Sequence, residues 1–393
     1  MRSEASEDVL CVVGSHAGRV VAVELASGVV RWSATLPDRV EASCCALSVP
    51  IHTVTYAAGQ LVVSGATAGV VLVGCHDEHM HALSLLDGTR LWSRRCRGAV
   101  KAAACELPCK TYLGSVALSA CFGGELVLFD ATSGRQLWQS TAVDGAVFAT
   151  PLVDVAASCC FVADLRGGLH CWDVIDAVPR PSAPFSTPCL HKRWRFQTRA
   201  RSAASCSGDS LRSGCEPIFS SPALANCAGQ PAVVFGSTDG CLYAVCTSDG
   251  SCLWSYDAHA PIFSSPCVVT SPQPGPRPQP RPHAPIVSLT CVAAKAVALP
   301  MALTTTATAA HTPSAIVAAV SESRFIYATS QSGSIFCLHA SDGSLAWQRP
   351  GAFTGHAAPA ATHLCASHHA CARDSNSSGG SGSSSAGLVV CSA

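Results

Sequence analysis

The sequence predicts an all-β fold, a β-propeller of four-stranded blades with six recognisable repeats plus an incomplete seventh. Three observations support this prediction. A Gly-x-x-x-Trp spacing recurs five times along the 393 residues, and in four copies a turn glycine lies ten residues before the repeat glycine. A second segment, an apolar pair followed by two small residues and proline, joins successive copies. Four-stranded units that recur at intervals of this length are typical of a β-propeller.

The repeat is clearest at residues 235–254, FGSTDGCLYAVCTSDGSCLW. Asp239-Gly240 supplies the positive φ that a two-residue hairpin turn needs. Residues 241–245 alternate between the two faces of a strand with a period of two. Asp249-Gly250 marks a second turn, and Trp254 lies four residues beyond its glycine. A single hairpin of this kind cannot bury its own apolar face, so the pattern indicates a stable fold only if it recurs along the chain.

The same pattern returns in further copies at residues 13–32, 73–92, 119–138 and 328–347. A divergent copy runs over residues 163–174, with its closing tryptophan displaced to Trp194. We expect the repeat tryptophans to be mostly buried between neighbouring blades as structural anchors with no ligand role. The structural repeat positions are Trp32, Trp92, Trp138, Trp254, Trp347, Gly28, Gly88, Gly134, Gly250 and Gly343.

The joining segment occurs at residues 147–151, 218–222 and 262–266, and in looser form, without proline, at residues 40–44 and 100–104. Small residues suit a strand packed tightly near a central axis, and proline suits a strand end. We therefore expect this segment to form a strand near a central axis, which brings each unit to about four strands.

We expect one domain over residues 1–393, interrupted by surface inserts at 175–191, 197–216 and 268–313 and by a flexible tail at 366–386. The inserts are rich in proline, serine or alanine and threonine, and the tail contains NSSGGSGSSSAG. Residues 388–391 resemble the opening strand of a seventh repeat. If that blade is incomplete, strands around 20–23 and 335–338 should have under-protected edges.

The repeat motif resembles that of quinoprotein-type (pyrroloquinoline quinone-like) propellers. Ile-Phe-Ser-Ser-Pro at residues 218–222 and 262–266, together with Gly-Cys-His-Asp-x-His at residues 74–79, resembles the C-terminal propeller of the β-alanine-activating enzyme. That enzyme belongs to the acyl-CoA-synthetase-like adenylating family. The chain departs from the family because it has no phosphate-binding loop for ATP and no carrier segment with a phosphopantetheine serine.

The resemblance implies a non-catalytic binding or scaffold module associated with an amino-acid-activating enzyme whose catalytic domain is absent from this chain. We therefore expect no enzyme activity and no cofactor for this chain alone. The expected partners are another protein or adjoining adenylation and carrier domains. The alternative is a stand-alone protein-interaction propeller. A quinone-dependent dehydrogenase is a third and weaker hypothesis, since a fold does not by itself imply the cofactor.

Three groups of residues suggest chemistry, although we assign no catalytic, cofactor-binding or metal site to any of them. Cys44-Cys45 and Cys159-Cys160 resemble the adjacent cysteines of quinone-dependent alcohol dehydrogenases, but we interpret them as two successive strand residues. Residues 75–81, CHDEHMH, have metal-ligand types but fall in a hairpin turn, where we expect successive side chains to point to opposite faces. Residues 363–371 contain His363, Cys365, His368, His369 and Cys371, ligand types that suit zinc.

Composition excludes some classes of partner. The formal net charge is zero, so no global field favours nucleic acid or an anionic membrane. The acidic N-terminal residues do not match a signal peptide, and we expect a cytoplasmic protein. Most of the 24 cysteines should act as small apolar strand residues, since Cys171 and Cys337 take the position of alanine in sister repeats.

Overall fold

The computed structural model describes residues 9–57, 60–109, 112, 114–140, 143–176, 187–199, 216–270 and 323–351. These residues form strands and turns and contain no helix. The all-β prediction is therefore confirmed.

The described strands form six sheets that follow one another along the chain. The first sheet has β1 Leu10–Gly14, β2 Arg19–Glu24 and β3 Val30–Thr35; the second has β4 Cys45–Ala57, β5 Gln60–Gly74, β6 His79–Ser84 and β7 Arg90–Arg95; the third has β8 Cys105–Leu107, β9 Val116–Ala120, β10 Leu126–Asp130 and β11 Gln136–Ser140. The fourth has β12 Leu152–Asp154, β13 Cys159–Ala163, β14 Gly168–Ile175 and β15 Cys189–Gln197; the fifth has β16 Ala223–Cys227, β17 Gln230–Gly236, β18 Cys241–Cys246 and β19 Cys252–Asp257; the sixth has β20 Cys267–Thr270, β21 Ser323–Thr329, β22 Ile335–His339 and β23 Leu345–Arg349.

Each sheet is an antiparallel meander whose spatial order follows the chain. Five sheets have four strands, and the first, among the described residues, has three. Each of the six repeats recognised in the sequence forms one of these sheets. The prediction of four-stranded units is therefore correct.

The core lies between the sheets. Five clusters of buried apolar side chains each fill the junction between two sheets that follow one another in the chain. At the junction of sheets five and six, for example, Val234 and Ala244 pack with Ile326 and Phe336. The sheets therefore stack face to face in chain order, and their first strands β8, β12, β16 and β20 contact one another in succession.

The strands that were expected to have under-protected edges are not edge strands of their sheets. Strands β2 and β22, which contain residues 20–23 and 335–338, are each paired on both sides. The prediction of exposed edges there is wrong because both are interior strands of their sheets. Among the described residues the first sheet instead begins at β1, in the position that the second strand holds in the other sheets.

The strands also occupy the flanks of the predicted inserts. Pairing of β14 with β15 continues to Ile175 opposite Cys189, and β15 extends to Gln197. Strand β20 continues to Thr270 opposite Ser323. The remaining insert residues lie largely outside the described part of the chain, as do the predicted tail at 366–386 and the predicted seventh-repeat strand at 388–391.

Candidate functional site

The repeat tryptophans connect neighbouring sheets. Each lies on the last strand of its sheet, and all but Trp138 lie opposite an alanine or cysteine of the preceding strand, as in Ala22–Trp32 and Cys337–Trp347. Trp138 lies opposite Leu128. Four of them donate the indole N–H to a backbone carbonyl of the next sheet: Trp32 to Leu85 at 2.8 Å, Trp92 to Ala131 at 3.0 Å, Trp194 to Thr247 at 3.0 Å and Trp254 to Ala340 at 3.1 Å.

The repeat glycines receive these tryptophans. In each case the acceptor carbonyl lies three residues before the repeat glycine of the next sheet. A Cβ atom added at Gly88 would lie 2.5 Å from the Trp32 ring, and one added at Gly134 would lie 2.5 Å from the Trp92 ring. Both glycines also have positive φ angles, of 73° and 68°. The glycine and the tryptophan of one repeat therefore serve two different junctions. We call each such pairing a tryptophan–glycine junction.

The tryptophans differ in burial. Trp32 and Trp92 are buried, at 6% and 8% exposure, and Trp138 and Trp254 are half-buried. Trp347 is 43% exposed, contrary to the expectation that it is buried. Trp138 also departs from the pattern, since its ring packs edge-on against Trp172 with a 6.3 Å centroid separation.

The joining segments form no strand, contrary to the expectation, and lie where one sheet meets the next. The first residue of each is an apolar side chain at 0–3% exposure. Its backbone N–H donates to a carbonyl in the hairpin turn that precedes the last two strands of the preceding sheet: Val40 to Ser15, Val100 to Cys75, Val147 to Cys121, Ile218 to Asp164 and Ile262 to Ser237, at 3.0–3.3 Å. All five segments are therefore held at the same end of the sheets, which we call the hairpin end.

The second residues of these segments form a continuous row, which we call the belt: Glu41, Lys101, Phe148, Phe219 and Phe263. The rings of Phe148 and Phe219 lie 5.4 Å apart, as do those of Phe219 and Phe263. The Lys101 ammonium lies 5.9 Å from the Phe148 ring centroid and 3.6 Å from the Glu41 carboxylate. The three phenylalanines are half-buried, so one edge of an aromatic ladder faces solvent.

The charged end of the belt is a small network. The Glu41 carboxylate lies 2.9 Å from His76 Nε2 and 3.4 Å from Arg39 Nε. Burial alone would raise the pKa of Glu41, but the close contact with His76 and the charges of His76, Lys101 and Arg39 outweigh it and lower that pKa. Lys101 also lies over the half-exposed Phe122 ring, 4.5 Å from its centroid. The belt therefore presents aromatic surface next to a compensated charge cluster.

Beneath the belt, the fourth residues of the joining segments form a chain of hydrogen bonds from sheet to sheet. The Ala103 N–H donates to Thr150 Oγ1 at 3.3 Å, the Thr150 N–H to Ser221 Oγ at 3.0 Å, and the Ser221 N–H to Ser265 Oγ at 2.9 Å. This hydroxyl chain explains why the motif uses serine and threonine, since a buried N–H needs an acceptor.

The sequence pattern identifies the joining segments, but it gives no role to the charged second residues of the two looser copies. Aligning their second residues gives Glu41 and Lys101 where the other copies have phenylalanine. That column is the signal that predicts the row of contacts.

The expectation that the side chains of residues 75–81 all point away from one another is wrong. Their side chains do not all diverge, because ligand atoms of Cys75, Asp77 and His81 lie within 4.8 Å of one another. His81 Nε2 lies 3.0 Å from Asp77 Oδ2, and burial lowers the pKa of His81 despite that carboxylate. The three groups are of types that bind zinc.

Two contacts in this group have counterparts elsewhere in the chain. The Asp77–His81 pair recurs as Asp164–His170 at 2.7 Å, joining a hairpin turn to its following strand. The Cys75 thiol donates to the Asp38 carbonyl at 3.3 Å, as that of Cys121 donates to the Arg97 carbonyl at 3.1 Å. Hairpin packing therefore accounts for the group. The predicted zinc-type residues 363–371 lie outside the described residues.

The adjacent cysteines lie on the sheets. Cys159 and Cys160 are fully buried on β13, and both are thiols. Burial raises the pKa of Cys160, and it raises that of Cys44 to about 12. Thiols with raised pKa values are poor nucleophiles, so Cys44 and Cys160 are suited to packing. A hydrogen bond with the Cys171 thiol lowers the pKa of Cys159.

The described residues define a class of protein: a repeat protein of successive four-stranded antiparallel sheets stacked face to face through tryptophan–glycine junctions. A family model described as outer membrane protein assembly factor BamB matches residues 2–188, just under half of the chain. The first part of the chain thus carries repeats similar to those of this family, which is named for pyrroloquinoline quinone-like repeats.

A solved structure is also similar to the chain. The crystal structure of BamB from Moraxella catarrhalis aligns at 14% identity with a TM-score of 0.46, covering 89% of this chain and 74% of that one. No curated protein matches the chain. The part of the chain that the structure describes holds no helix long and apolar enough to cross a membrane.

Proposed function

We propose that this chain is a non-catalytic β-propeller module that binds a protein partner through the belt at the hairpin end. The observation that carries the proposal is the half-buried ladder of Phe148, Phe219 and Phe263, which continues into Lys101 and Glu41. Aromatic residues are enriched in protein interfaces, where a few well-packed residues surrounded by a polar rim supply most of the binding energy. The match of residues 2–188 to a family described as an assembly factor supports an interaction role.

The finer part of the proposal names the partner. We propose an amino-acid-activating enzyme of the β-alanine type, through its adenylation and carrier domains. This part rests on the sequence resemblance alone. The residues that carry the resemblance, Ile-Phe-Ser-Ser-Pro and Gly-Cys-His-Asp-x-His, lie in or beside the belt. A stand-alone interaction propeller with a different protein partner is the alternative. We place either module in the cytoplasm, which a fluorescent fusion of the full chain tests.

A binding titration tests the proposal. The probe is a recombinant adenylation–carrier protein of the β-alanine-activating type, titrated with this chain by calorimetry. The Phe219→Ser variant should weaken binding by about tenfold or more, as expected for a central aromatic contact. Leu86→Ser is the matched control, because Leu86 is 84% exposed in a turn at the opposite end of its sheet, and it should bind as the unmodified chain does.

The outcomes separate the two levels of the proposal. If the probe does not bind, the adenylating partner is wrong. Cross-linking in cells then tests the belt itself, which fails if Phe219→Ser captures the same proteins as the unmodified chain. The chain alone should show no ATP–pyrophosphate exchange with β-alanine, and exchange above background would contradict a non-catalytic module.

A further inference from the structure

The two end sheets each carry half of a tryptophan–glycine junction. At the far side of the sixth sheet, Trp347 is 43% exposed, and its indole N–H has no acceptor among the described residues. At the far side of the first sheet, Gly28 has the same positive φ as the other repeat glycines, 72°. No atom of the described residues lies within 4 Å of the position that its Cβ would take. Among the described residues, the Trp347 indole therefore docks on no glycine, and the Gly28 turn receives no tryptophan.

The first sheet also exposes apolar side chains whose counterparts in the second sheet surround the carbonyl that accepts the Trp32 indole N–H. Residues of the first and second sheets correspond at a spacing of sixty. Leu25 is 41% exposed, whereas its counterpart Leu85 beside the Trp32 indole is 4% exposed. Val13 and Val23 are half-buried, whereas their counterparts Val73 and Leu83 are 0% and 1% exposed. The far face of the first sheet is therefore built as a junction face.

The sixth sheet shows the matching face. Cys267, Tyr327, Cys337 and Trp347 lie opposite one another in a row across its four strands. The corresponding row of the fifth sheet ends in Trp254, which is docked at Ala340. On the same face of the sixth sheet Val269, two residues after Cys267, is 41% exposed. Both end faces are thus apolar, with the residue pattern of an internal junction.

We propose that these two faces take one further four-stranded sheet of the same repeat type. That sheet presents a Gly-x-x-x-Trp turn to Trp347 and a tryptophan to Gly28, with its indole N–H donating to the Leu25 carbonyl. The four occupied junctions define this chemistry, because in each of them the acceptor carbonyl lies three residues before the glycine. The tryptophan for Gly28 must come from outside residues 351–393, which contain none. The proposal does not depend on the function proposed for the belt.

The test supplies such a sheet to the full chain. A second copy of residues 216–257, which contains the fifth sheet and its joining segment, is fused after Ala393. Two matched control fusions each disable one junction: Gly250→Val in the appended copy blocks Trp347, and Trp254→Ala in the appended copy leaves Gly28 empty. Thermal unfolding of the three fusions and the unmodified chain is compared. The resonance of Trp347 is followed by ¹⁹F NMR with 5-fluorotryptophan, assigned through Trp347→Phe.

The intact fusion should unfold several degrees above the unmodified chain. Its Trp347 resonance should shift, and each control fusion should lose part of the gain. Equal unfolding temperatures for the intact fusion and both controls would overturn the proposal. It would also be overturned if Trp347→Ala in the unmodified chain lowered the unfolding temperature as much as Trp92→Ala, because Trp347 would then already be docked.

Discussion

At the scale of single residues, position in a junction determines what a side chain does. Cys171 and Cys337 are 0% and 1% exposed, and each lies opposite the tryptophan of its sheet, where sister sheets have Ala22, Ala82 and Ala244. A cysteine there is a small apolar residue that leaves room for an indole. The prediction for these cysteines is therefore correct.

His81 gives a prediction for pH. Burial lowers its pKa below the ordinary value, with further lowering from His79 and Arg90 and opposition from Asp77. The folded protein therefore favours neutral His81, while the unfolded chain binds a proton near pH 6.5. The stability that depends on neutral His81 is present above that pH and is lost as the pH falls below it.

His81→Tyr tests this dependence. Tyr243 occupies the same position in the fifth sheet and donates to Asp239 at 2.5 Å, so the tyrosine has a natural precedent. The melting temperature of the variant should fall less between pH 7.5 and 5.5 than that of the unmodified chain. Parallel melting curves over this range would contradict the prediction.

At the scale of elements, the joining segment is the component that orders the sheets. Its first residue is anchored to the preceding hairpin, its second residue contributes to the belt, and its fourth contributes to the hydroxyl chain. Three different residues of one short segment therefore carry three different roles.

Ser221→Ala tests the hydroxyl chain. Ser221 is 5% exposed, and its hydroxyl accepts from the Thr150 N–H at 3.0 Å. Removing the hydroxyl leaves a poorly solvated N–H without an acceptor and should lower the free energy of unfolding by about 1–3 kcal/mol. Chemical denaturation measures the change.

The control is Ser251→Ala, an exposed turn residue that should change the free energy by no more than about 0.5 kcal/mol. Equal denaturation midpoints for the two variants would show that the hydroxyl chain contributes nothing.

Sequence patterns predicted most of the sheets because turns and strand alternation are local. They placed the hairpin turn at Asp239-Gly240 and the displaced Trp194, both of which the structure bears out. They did not predict that a tryptophan docks on the glycine of the next repeat, since Gly88 and Trp32 are 56 residues apart in the chain. The prediction that Trp347 is buried was wrong for the same reason: its burial depends on a neighbouring sheet and not on its own repeat.

At the scale of the whole molecule, stability comes from junctions between sheets, and segments that contribute no junction should be dispensable. Strands β20 and β21 pair directly, with Thr270 opposite Ser323, so a long connection is not needed to bring them together.

Replacing residues 271–313 with a short Gly/Ser bridge should therefore preserve cooperative unfolding, because the entropy of loop closure changes by only about 0.6 kcal/mol per doubling of length. A second deletion that also removes β20, Cys267–Thr270, is the control and should broaden the transition. A broad transition in the first deletion would show that the tract supplies core structure. Calorimetry distinguishes the two results.

The offset between a repeat's own glycine and its own tryptophan has a consequence for the evolution of such chains. Every duplicated copy inherits an acceptor on one side and a donor on the other, so it fits between any two existing copies without a new interface. Copy number can then grow or shrink by recombination of the gene while each boundary stays compatible. Individual copies are meanwhile free to exchange phenylalanine for lysine or glutamate on the exposed row, and in this way a repetitive scaffold acquires a surface that is not repetitive.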